Sequence, residues 1–272
     1  MIEVIVSQGR VADRAPRMIE GARRTARALS ERYGFSSHTV GTPQPHAVDD
    51  WRVSLPQARP TLQALQAAVE QSLRREPLTV MLSNTCSASL ASLPVVARQH
   101  PDAVVLWIDA HGDFNTPDTT ASGYLGGMVL AGACGLWDSG HGAGLRPGQV
   151  VLVGARDIDA AEHALLTEAG VRIIPPAGAT PAAVLEAIGD APVWVHIDWD
   201  VLEPGHLPAD YVVPQGLLPD QIRALFEAIP PRQLRGIELA EFNASLDEQV
   251  NAEALEVIVG IVDPVFSRLA TR

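Results

Sequence analysis

Asp109, His111 and Asp113 are spaced two apart directly behind the apolar run Val104–Ile108, and Asp198 and Asp200 are spaced two apart behind a second apolar run, 193–197. Side chains two apart in extended backbone project the same way, so each set converges at one strand end. Carboxylates crowded together repel and raise one another's pKa, and burial raises it further. A cation removes that conflict. Four carboxylates and one imidazole suit two divalent ions sharing ligands about 3.5–4 Å apart. Oxygen-rich, histidine-poor ligation favours Mn²⁺ over a structural Zn²⁺. Taken singly, each acid reads as a helix cap or a loop residue; the paired pattern behind two apolar strands does not.

These strand ends need a framework. Short β-branched runs at 2–6, 78–82, 104–109, 150–153, 171–174, 193–197 and 236–239 alternate with amphipathic stretches at 14–33, 60–73, 89–100, 127–135, 160–169, 181–188, 219–228 and 251–269. That rhythm predicts βαβ units around a mostly parallel sheet, whose ligands sit beyond the carboxyl ends of the strands. The segment 36–56 is expected to be loop-rich. No linker or repeat divides the chain, so residues 1–272 read as one domain.

Composition narrows the function. A net charge of −12 argues against nucleic acid. All 20 basic residues are arginine, which excludes Schiff-base lysine and P-loop chemistry. Two cysteines, Cys86 and Cys134, imply no disulfide framework, and a reducing cytoplasm is the default. The first residues lack the pattern of a secretory signal, and no apolar run approaches the ~20 residues of a membrane span.

Three segments resemble the ureohydrolases, the arginase and agmatinase family. They are Asp109-Ala110-His111-Gly112-Asp113-Phe114-Asn115 with Ser122-Gly123, then His196 to Pro204, then Ile237 to Asn243. The resemblance implies a three-layer α/β/α, arginase-like fold and two Mn²⁺ ions with a bridging hydroxide that attacks a guanidinium carbon. Asp109 and Asp198 would bridge the ions, Asp113 would bind one, and His111 and Asp200 the other. Asp113 and Glu241 are the catalytic carboxylates it implies, with Glu241 holding the guanidinium. Asn115, Ser122 and Asp159 match residues that read the α-carboxylate and α-amino groups, which favours a guanidino amino acid over agmatine. A monomer is expected rather than a homotrimer.

Two positions depart from the family. Cys86 stands in Ser83-Asn84-Thr85-Cys86-Ser87 where the family has a histidine ligand. It is expected to be a thiolate ligand, since a metal-bound thiol is deprotonated, whereas Cys134 is expected in the core. The family segment Ser-Gly-Asn-Leu-His-Gly is here Ser122-Gly123-Tyr124-Leu125-Gly126-Gly127, so Gly126 replaces a proton-shuttle histidine. General acid–base help is worth about 10²–10⁴-fold, and its loss should cripple arginine hydrolysis. An N-hydroxylated guanidine is more electrophilic and titrates near neutrality. The two departures together resemble a branch of the family that converts Nω-hydroxy-L-arginine to hydroxyurea and L-ornithine for D-cycloserine biosynthesis. Rival expectations are arginase, agmatinase or formimidoylglutamase activity, a silent metal-binding homologue, and a one-zinc deacetylase on a related fold. His196, two residues before Asp198, reads as a histidine supporting a ligand; a role as replacement shuttle is the sharper alternative.

Overall fold

The structure is a computed structural model describing residues 2–270. In chain order its main elements are β1 (Glu3–Ser7), α1 (Met18–Tyr33), β2 (Ser36–Val40), α2 (Trp51–Arg75), β3 (Thr79–Leu82), α3 (Ser89–Gln99), β4 (Val104–Ile108), α4 (Val129–Ala133), β5 (Val150–Val153), α5 (Ala160–Ala169), β6 (Arg172–Ile174), α6 (Pro181–Ile188), β7 (Val193–Asp198), α7 (Pro219–Ala228), β8 (Leu234–Ala240) and α8 (Glu248–Ala270). The eight strands form one sheet in the order β2-β1-β3-β8-β7-β4-β5-β6. Every pairing is parallel.

Alternation along the strands splits the core in two. Val4, Val6, Leu106, Ile108, Val195 and Ile197 pack with α1, α6, α7 and α8 on one face. Ile5, Met81, Val105, Trp107 and Trp194 pack with α2, α3, α4 and α5 on the other. Both faces are covered, as a parallel sheet requires, and the expected three layers result. The backbone of β8 passes so close beneath the Trp194 ring that a Cβ at Gly236 would overlap it. The glycine is therefore set by the bulk of a tryptophan on the neighbouring strand.

Two expectations are corrected. The segment 36–56 is not mainly loop: it holds the edge strand β2 and the first residues of α2. β2 is exposed at four of its five positions, so it carries no apolar alternation. α2 begins at Trp51 rather than residue 60, capped by the Asp50 side chain, which accepts from the Arg52 backbone. Pro56 and Pro60 both face solvent, where water can satisfy the carbonyls their missing N–H groups leave unpaired. No helix among the described residues is long and apolar enough to cross a membrane.

β3 and β4 are consecutive in sequence but separated in the sheet by β8 and β7. The loops leaving the carboxyl ends of these four central strands surround one crevice, the position at which open parallel sheets bind ligands.

Candidate metal centre and substrate pocket

β4 and β7 each deliver their metal-binding candidates through a turn closed by an aspartate side chain. Asp198 Oδ1 accepts from the Asp200 backbone N–H at 2.8 Å, starting the short turn Trp199–Val201. Asp109 Oδ1 accepts from the His111 N–H at 2.7 Å. Such aspartate turns fold the chain back at once, so the second residue of each pair returns beside the first. Asp200 then bonds across to β4, accepting from the Ala110 N–H at 3.1 Å.

Cys86 is placed by the segment after β3. Asn84 donates from Nδ2 to the buried Asp13 carboxylate at 2.7 Å, and Thr85 donates to the Val11 carbonyl at 2.7 Å. The following turn, Cys86–Ala88, points the thiol inward. It donates to Asp198 Oδ2 at 3.2 Å and lies 3.9 Å from Asp109 Oδ2. On its other side stands His196, with Nε2 at 3.3 Å from Sγ and Nδ1 at 2.9 Å from Glu238. The His196 ring stacks on Trp107 at 3.6 Å between centroids, and Trp107 Nε1 donates to Asp109 at 3.0 Å. His196 thus lies behind Cys86, within a packed and fully buried cluster.

Three sets of potential ligand atoms fall within 4.8 Å of one another: Cys86, Asp198 and Glu241; Asp109, His111 and Asp200; and Cys86, Asp109 and His196. The structure therefore brings together Cys86, Asp109, His111, Asp198 and Asp200 as expected, and adds Glu241 and His196 to their immediate surroundings. Asp113 lies outside these sets but lines the same cavity, and its buried Oδ2 has no hydrogen-bond partner. Asp113 (φ 48°) and Glu241 (φ 66°) both have left-handed backbones. Non-glycine residues in that region are strained and concentrate at functional sites.

The electrostatics express a demand for positive charge. Burial, then Asp200 and Asp109, push the Asp198 carboxyl well above its ordinary range. Burial, then Asp109, do the same for Asp113. Burial and Asp109 move Asp200 up to about 6. Burial, opposed by the Cys86 N–H bond, leaves Glu241 at about 8. Burial and Asp198 push the Cys86 thiol far up. Burial alone would lower His111, but its bonds to Asp109 and Asp200 raise it to about 12. Its Nδ1 is 3.4 Å from Asp109 and 3.0 Å from Asp200. The Nδ1 proton lies between the two carboxylates, where a bound divalent ion would displace it. Clustered buried acids, an orphaned carboxylate oxygen and an imidazole held between two carboxylates all fit a site made for divalent ions.

The adjoining cavity has a volume of about 250 Å³ and is lined by Asn115, Ser122, Asp159 and Glu241 together with the acidic cluster. Asp159 caps α5 through the Ala161 and Glu162 N–H groups. Its other carboxylate oxygen is 3.5 Å from Asn115 Nδ2, and Asn115 Oδ1 is buried without a partner. Glu241 Oε1 accepts from the Cys86 N–H at 2.8 Å and the Tyr124 hydroxyl at 3.1 Å. Sequence reasoning missed Arg14, Tyr124, Asp157, Glu162 and Tyr211, which also line the cavity. Arg14 and Tyr211 carry no local signal. Tyr124 had one: it departs from the family segment beside the departing Gly126. Cys134, expected in the core, sits at the end of α4 and is only partly buried.

An all-parallel sheet with this carboxylate cluster at its central strand ends is the architecture of the arginase family, and the chain belongs to it: the arginase family model matches residues 3–262. Among known relatives, the chain is 66% identical over 272 residues to the Nω-hydroxy-L-arginine amidinohydrolase of Streptomyces lavendulae, covering 100% of both. The arginase of Entamoeba histolytica, solved with L-ornithine, superposes with a TM-score of 0.86 at 18% identity, covering 97% of each chain. The arginase of Bacillus caldovelox gives 0.83 at 24% identity, covering 97% of this chain and 98% of that one. At such identities these two structures speak for the fold.

Proposed function

We propose that this protein hydrolyses the guanidino group of Nω-hydroxy-L-arginine, releasing hydroxyurea and L-ornithine. The observation that carries the reading is the 66% identity, end to end, with an enzyme named for that substrate. The chain's own chemistry agrees with it. Gly126 offers no proton shuttle, so a substrate with a less basic, more electrophilic guanidine suits the site.

In this reading Cys86, Asp109, His111, Asp113, Asp198 and Asp200 hold two divalent ions, taken as Mn²⁺ from the oxygen-rich donor set. When bound, the pair supplies Lewis acidity and a water activated at neutral pH. The residues around it do the rest. Glu241, aimed by the Cys86 N–H bond, grips the planar guanidine, whose N–H fork matches a carboxylate. Asn115, with its free Oδ1, and Asp159 receive the α-ammonium group, and Ser122 with Asn115 Nδ2 the α-carboxylate. Fixing the amino-acid end at that distance places the guanidine carbon over the acidic cluster, a gain of orientation rather than of bond strength. The same reading takes residues 1–272 as one arginase-like unit, working as a cytoplasmic monomer, and its hydroxyurea as a supply for D-cycloserine biosynthesis.

The test is ornithine release by the Mn²⁺-loaded protein, with Nω-hydroxy-L-arginine and L-arginine assayed side by side. Turnover of the hydroxylated substrate far above that of L-arginine is expected. Equal turnover of arginine would remove the specificity; no turnover of either, with metal bound, would leave a binding protein rather than an enzyme.

A further inference from the structure

Gly126 is not an empty position. A Cβ built on it would lie 2.5 Å from Tyr124 Cε1, 2.7 Å from Cζ and 3.1 Å from the hydroxyl oxygen. The Tyr124 ring therefore occupies the space into which any side chain at 126 would project. Asparagine-to-tyrosine at 124 and histidine-to-glycine at 126 form one exchange: the larger residue at the first position requires the missing one at the second. The ring is held there from outside by Arg14, whose guanidinium carbon sits 4.8 Å from its centroid, and by Tyr211 at 5.8 Å between ring centroids. Its hydroxyl points at Glu241, 3.1 Å from Oε1.

We infer that Tyr124 is the residue that selects an N-hydroxylated guanidine, its phenolic O–H donating to the hydroxyl oxygen of the substrate. The inference rests on the proposed activity and adds to it. Glu241 Oε1 already accepts two hydrogen bonds, from Cys86 N–H and from Tyr124 O–H. A guanidine gripping both carboxylate oxygens needs one of those places, and the backbone N–H cannot move away. The phenol must release Oε1 and find another acceptor. Arginine's guanidinium has five N–H donors and no acceptor, so it leaves the phenol proton facing donors. A hydroxyguanidine brings an oxygen on the nitrogen beside it, which accepts that proton. A site built around a substrate hydroxyl rejects the analogue lacking it because its own buried group is then left unpaired. Burial keeps the phenol in its protonated, donating form at neutral pH.

The experiment compares wild type with Tyr124→Phe, which removes one oxygen and keeps the ring that fills the place beside Gly126. Both are loaded with Mn²⁺, and metal content and thermal unfolding are recorded with kcat/KM for both substrates. In Tyr124→Phe, kcat/KM for Nω-hydroxy-L-arginine is expected to fall about 10–100-fold, the effect of one lost hydrogen bond to a buried partner. That for L-arginine should stay level or rise, so that the ratio collapses. A merely structural role would lower both together, and an unchanged ratio would overturn the inference. Wild type turning over neither substrate would instead strike the activity on which the inference rests. A second variant guards against a ring that fails to pack. Tyr124→Asn with Gly126→His restores the family pair and should gain arginine turnover, whereas Gly126→His alone, colliding with the ring, should lose turnover of both. If the single change works as well as the pair, the two positions are not coupled and the exchange is not what the geometry says.

Discussion

Removing the metal should make stability fall as pH rises, with a slope that the loaded protein lacks. In the free site the folded chain holds more protons than the unfolded one. Glu241 sits at about 8 against an ordinary 4.5, and Asp200 at about 6 against 3.8. For an acid whose folded pKa is raised, stability is complete below the unfolded value and is lost as pH climbs to the folded one. His111, raised to about 12 from 6.5, acts in the same direction, because above pH 6.5 only the folded form keeps the proton. Asp109, lowered in the folded state, opposes them only below its ordinary 3.8, outside the range tested. Between pH 5.5 and 8.5, at about 1.4 kcal/mol per unit, Glu241 gives up about 3 kcal/mol, His111 about 3 and Asp200 under 1. These three give a loss of order 6 kcal/mol, and Asp113, Asp198 and Glu162, raised as well, add to it in the same direction, so the fall in Tm is at least roughly 10 °C for a chain of this size. Divalent ions take over the role of those protons, so the loaded protein should show little of this slope, and the gap between the two forms should widen with pH. Scanning calorimetry at several pH values, with chelator and with excess Mn²⁺, measures it. A metal-free Tm that is flat or rises from pH 5.5 to 8.5 would refute the electrostatic reasoning.

Cys86→Ser should keep the fold and lower the Mn²⁺ bound per chain from about two towards one, read by elemental analysis after gel filtration. Unchanged content would remove the thiolate from the ligand set. His196→Asn strips a buried partner from Glu238, itself fully buried. It should cost about 1–3 kcal/mol in urea unfolding, the effect of a lost buried hydrogen bond, while leaving metal binding intact and turnover detectable. Abolished turnover with full metal would make His196 the proton carrier instead. Gly236→Ala forces a methyl group into the Trp194 ring and should destabilise by about 3 kcal/mol or more. Adding Trp194→Ala to it should recover part of that loss, and simple additivity of the two costs would show that they do not collide.

The readable parts of this molecule were those governed by periodicity and local spacing. Val104–Ile108 and the run ending at Asp198 are buried on both faces, so they announce themselves as unbroken apolar segments, and the acids behind them stand at fixed offsets. β2 was hidden because an exposed edge strand has no apolar face to show, and the start of α2 because two prolines imitate a breaker when they face water. At the site, Asp109, His111, Asp198 and Asp200 were legible from two-residue spacing. Cys86 and Glu241 required the family pattern, since they reach the centre from strands far away in sequence. The partnership of Tyr124 with Gly126 was not legible. It depends on which way a ring turns, and Arg14, which holds that ring, lies 110 residues earlier in the chain.

The strand order has a consequence for how the molecule is made. β8, the last strand to leave the ribosome, belongs in the middle of the sheet, between β3 and β7. Until about residue 240 has been synthesised, both of those strands expose unpaired edges flanked by apolar faces, a template for pairing with other chains. Such non-local parallel pairing is slow to close, and domains generally fold as units during synthesis. Glu241, the residue immediately behind β8, then arrives with the insertion that closes the sheet. A nascent or truncated chain lacking that strand has neither a finished sheet nor a complete site, so metal retention would report that the final strand has been inserted.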